Sequence, residues 1–136
     1  MLGGAGKLAS EVFAPINWAG DQTPAKLENG IVRTSPGFKE GYKAFAAGGW
    51  AGVTAQESSG GMGLPLTIGT CINEMTAGAN LGLALCPLLS QAQIEAPAHH
   101  SSDEIKALYL PTRTPGRRPA TSNRAQPARG PGDRAP

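Results

Sequence analysis

Aromatic residues are scarce in this 136-residue chain: three Phe, two Tyr and two Trp, 5% of the total. So few rings leave little bulk from which to build a core. There are only two cysteines, Cys71 and Cys86. Both sit in apolar surroundings, which points to buried free thiols in a reducing compartment, with a single structural disulfide as the other reading. No run of about 18 apolar residues occurs, which excludes a membrane-spanning helix. The opening MLGGAGKLASEVFAP places Lys7 and Glu11 where a secretory signal needs its apolar stretch, so the expected location is the cytoplasm. What is abundant instead is glycine and proline. Gly 19 and Pro 12 make up about 23% of the chain, near double the usual share of roughly 12%. The length allows one ordinary domain at most.

The net charge of +2 hides two unlike segments. Residues 1–111 carry six cations against nine acids, a net charge of −3. Residues 112–136 carry six arginines, no lysine and the single acid Asp133, a net charge of +5. That second segment holds no Val, Ile, Leu, Met, Phe, Tyr or Trp. With nothing to bury it cannot offset an ordering entropy of roughly 1–2 kcal/mol per residue, so it is expected to be a disordered tail. An Arg-rich arm could contact nucleic-acid phosphates. Against that, the arginines are dispersed among prolines and no ring is present for base stacking. Arg, Pro, Ala and Gly supply 18 of its 25 residues, and GC-rich codons specify those four amino acids. The switch from lysine to arginine therefore reads as a frameshifted segment.

Residues 1–111 predict an all-α, partial helical domain of about four to five helices. Leu8, Val12, Phe13 and Ile16 form one helical face over roughly Gly4–Asn17, which Pro15 should bend or end. Residues 19–34 read as loop, with a hairpin turning on Asn29-Gly30. Ser35-Pro36 is expected to open a second helix carrying Phe38, Tyr42 and Phe45, ended by Gly48-Gly49. A glycine-rich loop fills 54–65. Pro65 then opens a third helix with Leu66, Ile68, Ile72 and Met75 directed inward. Leu81 to Ala96 follows, apolar on nearly every side, the pattern of a helix covered by a larger body. Ser101 to Glu104 is a capping-box pattern opening a last helix through Tyr109.

No complete catalytic constellation is present. His99 and His100 are adjacent and point about 100° apart on a helix, unsuited to a shared metal. The Gly60-Gly61-Met62-Gly63 loop lacks the lysine of a phosphate-binding loop. Glu28, Glu40, Glu57, Glu74 and Glu95 are dispersed, with no pair at acid–base spacing. Glu74, on an otherwise apolar helix, is expected to make an ion pair or cap contact. Neither cysteine has a neighbouring cation to activate it.

Several phrases, taken in order, resemble one family. They are Glu11 to Asn17 (EVFAPIN) followed by Gly20-Asp21; Pro36-Gly37-Phe38-Lys39-Glu40 with Tyr42 and Gly49-Trp50; Ser59 to Pro65 (SGGMGLP); Asn73-Glu74-Met75 with Ala79-Asn80; and Lys106 to Pro111 (KALYLP). Over residues 4–111 the chain is similar to the N-terminal helical domain of acyl-CoA dehydrogenases, nearest to the longer bacterial enzymes of the methylthiopropanoyl-CoA type. The resemblance implies a homo-oligomeric FAD enzyme that converts an acyl-CoA thioester to its 2,3-enoyl form. A carboxylate takes the α-proton, and the β-hydrogen leaves as hydride to the flavin. That carboxylate and most flavin and CoA contacts lie in the family's later domains. No catalytic, cofactor-binding or metal residue is therefore expected here, and the chain reads as a truncated piece, inactive alone and without tight FAD binding. Leu85, Cys86 and Leu89 are candidates for lining the acyl-tail pocket, with plain core positions as the other reading. The alternative from another class is a small helical interaction module whose basic tail binds nucleic acid or an acidic partner.

Overall fold

The computed structural model describes residues 1–116. Its first helical run is longer than the sequence predicts. The chain is helical from Leu2 to Gln22, as α1 (Leu2–Lys7), a π-helical turn (Leu8–Phe13), a 3-10 turn (Ala14–Ile16) and α2 (Asn17–Gln22). Pro15 does not end this run. It occupies the start of the 3-10 turn, where a missing N–H leaves no bond unmade, and the wider π turn before it gives its ring room. Leu8 and Phe13 are buried, with Val12 and Ile16 packed against them. Residues 19–22, expected in a loop, belong to the helix.

The hairpin forms as predicted. β1 (Lys26–Glu28) pairs antiparallel with β2 (Ile31–Arg33), Glu28 opposite Ile31. Asn29 (φ 51°) and Gly30 (φ 75°) make the turn, both in the left-handed region that such a two-residue connection requires.

Ser35-Pro36 does not open the next helix. Instead Phe38 N–H donates to the Ser35 carbonyl at 3.2 Å, with Gly37 at φ 80°. Proline then glycine at the two centres of a four-residue turn is the type II signature, and it outcompetes the serine cap. α3 (Phe38–Ala47) follows, burying Phe45 with Phe38 and Tyr42 packed beside it. Gly48 and Gly49 end it as expected.

Residues 50–64 fold back on themselves through two 3-10 turns, Trp50–Gly52 and Glu57–Ser59. Met62 N–H donates to Gly52, Gly63 to Ala55 and Leu64 to Val53. Gly61 sits so close to the opposite side of this loop that a Cβ there would lie 2.1 Å from the Ala55 carbonyl oxygen.

Three helices complete the fold: α4 (Leu66–Ala79), α5 (Leu81–His100) and α6 (Asp103–Arg113). Ile72 is buried in α4, and Ile68 and Met75 pack around it. Leu66 departs from expectation: it is 74% exposed, at the first position of α4. The cap of α6 is Ser102, whose hydroxyl accepts from Ile105 N–H, one residue beyond the predicted Ser101.

Ordered chain also continues past Pro111. α6 runs through Arg113, Thr114 is buried, and the Gly116 carbonyl accepts from the Tyr42 hydroxyl at 3.2 Å. A backbone carbonyl anchors this stretch although its side chains offer no bulk, so residues 112–116 are not part of a disordered tail. The rest of the Arg-rich segment, 117–136, lies outside the described residues. Among the described residues the architecture is mostly α-helical: five helical rods, counting 2–22 as one, and the two-stranded ribbon. The main core joins Leu8, Phe13, Phe45 and Leu83, with the Phe13 and Phe45 ring centroids 6.2 Å apart. No helix among the described residues is long and apolar enough to cross a membrane.

Candidate functional site

The site begins at Asn80, where α4 stops and α5 starts. Its backbone is extended (φ −160°) and its side chain is buried. Oδ1 accepts from Leu83 N–H at 3.0 Å, an N-cap, while Nδ2 donates to the Phe13 carbonyl at 3.3 Å. Both halves of the amide are used, which fixes the direction of α5 relative to the first helical run.

From that anchor α5 turns Leu83, Ala84, Ser90 and Ile94 inward. It leaves Leu81, Leu85, Leu88 and Leu89 exposed by 60, 50, 48 and 41%. Four leucines on one stretch of helix are a contiguous apolar face, not the scattered single residues of an ordinary surface. Pro87 is accommodated inside the helix, and one turn on the Ser90 hydroxyl donates to the Cys86 carbonyl at 3.3 Å.

The three acyl-pocket candidates are not brought together. Leu85 borders a pocket of about 50 Å³ between α4 and α5, with Thr76 and Leu88. Ligand sites run at about 300–1,000 Å³, and that pocket is far smaller. Leu89 is on the exposed face. Cys86 alone lines a substantial cavity, a groove of about 720 Å³. The hairpin end (Val32, Arg33, Thr34), α3 (Phe38, Lys39, Tyr42, Lys43, Ala46) and α5 (Gly82, Leu83, Cys86) form its walls, and Gly116 closes one side. Burial pushes the Cys86 thiol pKa up, so it is a protonated, weakly nucleophilic group at neutral pH. Burial likewise raises that of Tyr42; a hydrogen bond with Ser90 opposes this and the neighbouring Cys86 adds to it. Both cysteines are free thiols and half-buried.

A second polar cluster was not legible in the sequence. Thr54 Oγ1 donates to Glu95 Oε1 at 3.2 Å, and His99 Nε2 lies 3.3 Å from Glu95 Oε2. The residue types resemble a catalytic triad, but the order is wrong. The hydroxyl faces the carboxylate and not the imidazole, so the hydroxyl–imidazole contact of a triad is absent. The (i, i+4) spacing of Glu95 and His99 was the available signal; Thr54 lies 41 residues away. Glu74 is exposed and, among the described residues, makes neither an ion pair nor a cap contact. No group of three or more His, Cys, Asp or Glu among them is arranged to hold a metal ion.

The glycine loop has no N–H to offer a phosphate. Ser59, Gly60, Gly61, Met62, Gly63 and Leu64 donate to carbonyls of residues 52–57 within the same loop. Its chemistry is structural.

The chain matches the family described as acyl-CoA dehydrogenase, N-terminal domain, over residues 22–117. Together with the helical order above, this shows that it belongs to the acyl-CoA dehydrogenase family through that domain. It is similar to the 3-methylmercaptopropionyl-CoA dehydrogenase of Ruegeria pomeroyi, 37% identical over 125 residues, or 92% of this chain. The match spans 21% of that relative's length. Both similarities run past Pro111, in keeping with the ordered residues 112–116.

Proposed function

We propose that this chain serves as the N-terminal helical part of an FAD-dependent, homo-oligomeric, cytoplasmic acyl-CoA dehydrogenase, and that it does not catalyse alone. The parent reaction is α,β-dehydrogenation of an acyl-CoA thioester to the enoyl-CoA. The observation that carries the reading is the leucine face of α5 on a chain that matches 21% of a much longer relative. Leu85 and Leu89 are proposed to meet the remainder of the enzyme, at or beside its acyl pocket, while Cys86 lies round the helix from them.

We expect no tight flavin binding by this chain alone. The glycine loop's donors are consumed internally, and the cavity beside it, lined by Thr54, Gln56 and His99, is about 150 Å³, below the range of small-molecule sites. What this chain contributes is therefore a scaffold. Asn80 orients α5, α5 presents an apolar wall, and a wall of leucines excludes water from whatever covers it.

The test is expression of the 136-residue chain with flavin absorbance and acyl-CoA-dependent dye reduction as readouts. Neither bound flavin nor turnover is expected. Mixing with the Ruegeria pomeroyi enzyme lacking its matching segment is expected to restore turnover to that protein. Stoichiometric FAD and turnover by the isolated chain would overturn the reading.

A further inference from the structure

The walls of the groove are unusual in charge. Residues 1–111 are net acidic and hold only six cations, yet Arg33, Lys39 and Lys43 all line this one cavity. Lys26 adds a fourth, directly opposite Arg33 in the ribbon register. Like charges opposed across a ribbon, or four apart on a helix as Lys39 and Lys43 are, repel. Among the described residues none of these four makes an ion pair, and Glu28 and Glu40, the acids nearest in sequence, do not neutralise them. Two elements thus bring unpaired cations together, each against its own local electrostatics. The floor beneath is apolar, with Phe38, Ala46 and Leu83.

An apolar trough rimmed by free cations fits a chain with an anionic head. We propose that this groove binds an alkyl carboxylate, its apolar chain along the floor and its head among Arg33, Lys39 and Lys43. The volume of about 720 Å³ lies within the range that encloses a single small amphiphile. Gly116 at the groove wall is followed in sequence by Arg117 and Arg118, which carry the same sign of charge as the rim. The inference stands apart from the family reading, because it rests on α3 and the ribbon and not on the leucine face.

Cys86 supplies the reporter. It lines the groove and Cys71 does not, so iodoacetamide labelling read by peptide mass spectrometry carries its own reference. The probe is decanoate below its micelle-forming concentration, acting on the full chain. At about five times the half-saturating concentration, Cys86 labelling should slow about sixfold while Cys71 is unchanged. Decanol and decyltrimethylammonium should protect far less. In the double variant Lys39→Glu, Lys43→Glu, both positions being exposed, half-protection should need about tenfold more decanoate. Equal protection by decanol, or an unchanged double variant, would overturn the carboxylate assignment. Faster labelling of both cysteines would show detergent-like unfolding and also overturn it. Protection by a glutamate-rich peptide but not by decanoate would give the groove to a protein partner instead.

Discussion

The side-chain amide of Asn80 reaches across 67 residues of sequence to the backbone carbonyl of Phe13, 3.3 Å away, while its oxygen caps α5. One buried side chain thereby joins the first helical run to the helix that carries the leucine face.

Replacing it should be expensive. Asn80→Ala removes the cap, worth about 1 kcal/mol, and leaves the buried Phe13 carbonyl without its donor, about 1–3 kcal/mol more. The expected loss is about 3 kcal/mol in the urea midpoint analysis. Asn80→Ser, which keeps a capping oxygen, should recover part of it. An Ala variant as stable as the parent would show that the amide does not set the direction of α5.

Gly61 offers a sharper backbone test. A Cβ there would lie 2.1 Å from the Ala55 carbonyl oxygen, so the loop must open to accept alanine. Gly61→Ala is expected to destabilise by at least about 2 kcal/mol. Gly60→Ala has open space beside it but carries a φ of 81°, so it should show only the left-handed penalty, about 1–2 kcal/mol. Thermal unfolding followed by circular dichroism ranks the pair, and the reverse order would mean that the folded-back loop does not hold in solution.

Alkaline stability follows from Cys86 and Tyr42. Burial raises both acids above their unfolded values, so in the window above them the unfolded chain binds fewer protons than the folded one. Stability is then fully present below about pH 9 and falls as pH rises through the folded values, Cys86 first and Tyr42 after it. Tyr42 adds a reason of its own, because only the protonated phenol can donate to Gly116. Urea midpoints from about pH 8 upward should decline less steeply in Cys86→Ser and in Tyr42→Phe than in the parent. Parallel curves for all three would remove these groups as the cause.

The leucine face makes a prediction about behaviour in solution. The parent chain should bind a hydrophobic dye and self-associate in light scattering. The pair Leu85→Glu, Leu89→Lys places opposite charges at (i, i+4) on that face. It should abolish both effects while changing stability by about 0.5 kcal/mol. A large stability loss would mean that the two leucines already pack within this chain.

Much of the fold was legible because local chemistry decided it. Asn29-Gly30 could make only one kind of turn, and Phe38, Tyr42 and Phe45 fall on one stripe that finds Phe13. Where two local rules competed, reading one at a time failed. Ser35 is a good cap, but Pro36-Gly37 is a better type II turn; Pro15 is a helix breaker, but not after a π turn. The candidate site was less legible for a different reason. Leu85 and Cys86 are neighbours in sequence yet face different cavities, and the cations of the groove come from a ribbon and a helix whose meeting no periodicity encodes. Thr54 and Glu95 likewise meet only in the folded chain.

The π turn at Leu8–Phe13 has a consequence for the phase of everything after it. An α-helix advances about 100° per residue, so a turn that accommodates one extra residue rotates the following segment by that angle without breaking the rod. Leu8 at the start of the turn and Ile16 after it both reach the same core. Deleting a single residue between Ala9 and Val12 would restore a regular helix with Asn17–Gln22 facing the same side, whereas straightening the wide turn without a deletion would swing that segment by about 100°. The opening rod thus behaves as a gear with one added tooth, and the wide turn that takes up that tooth sets which side of the rod meets the rest of the molecule.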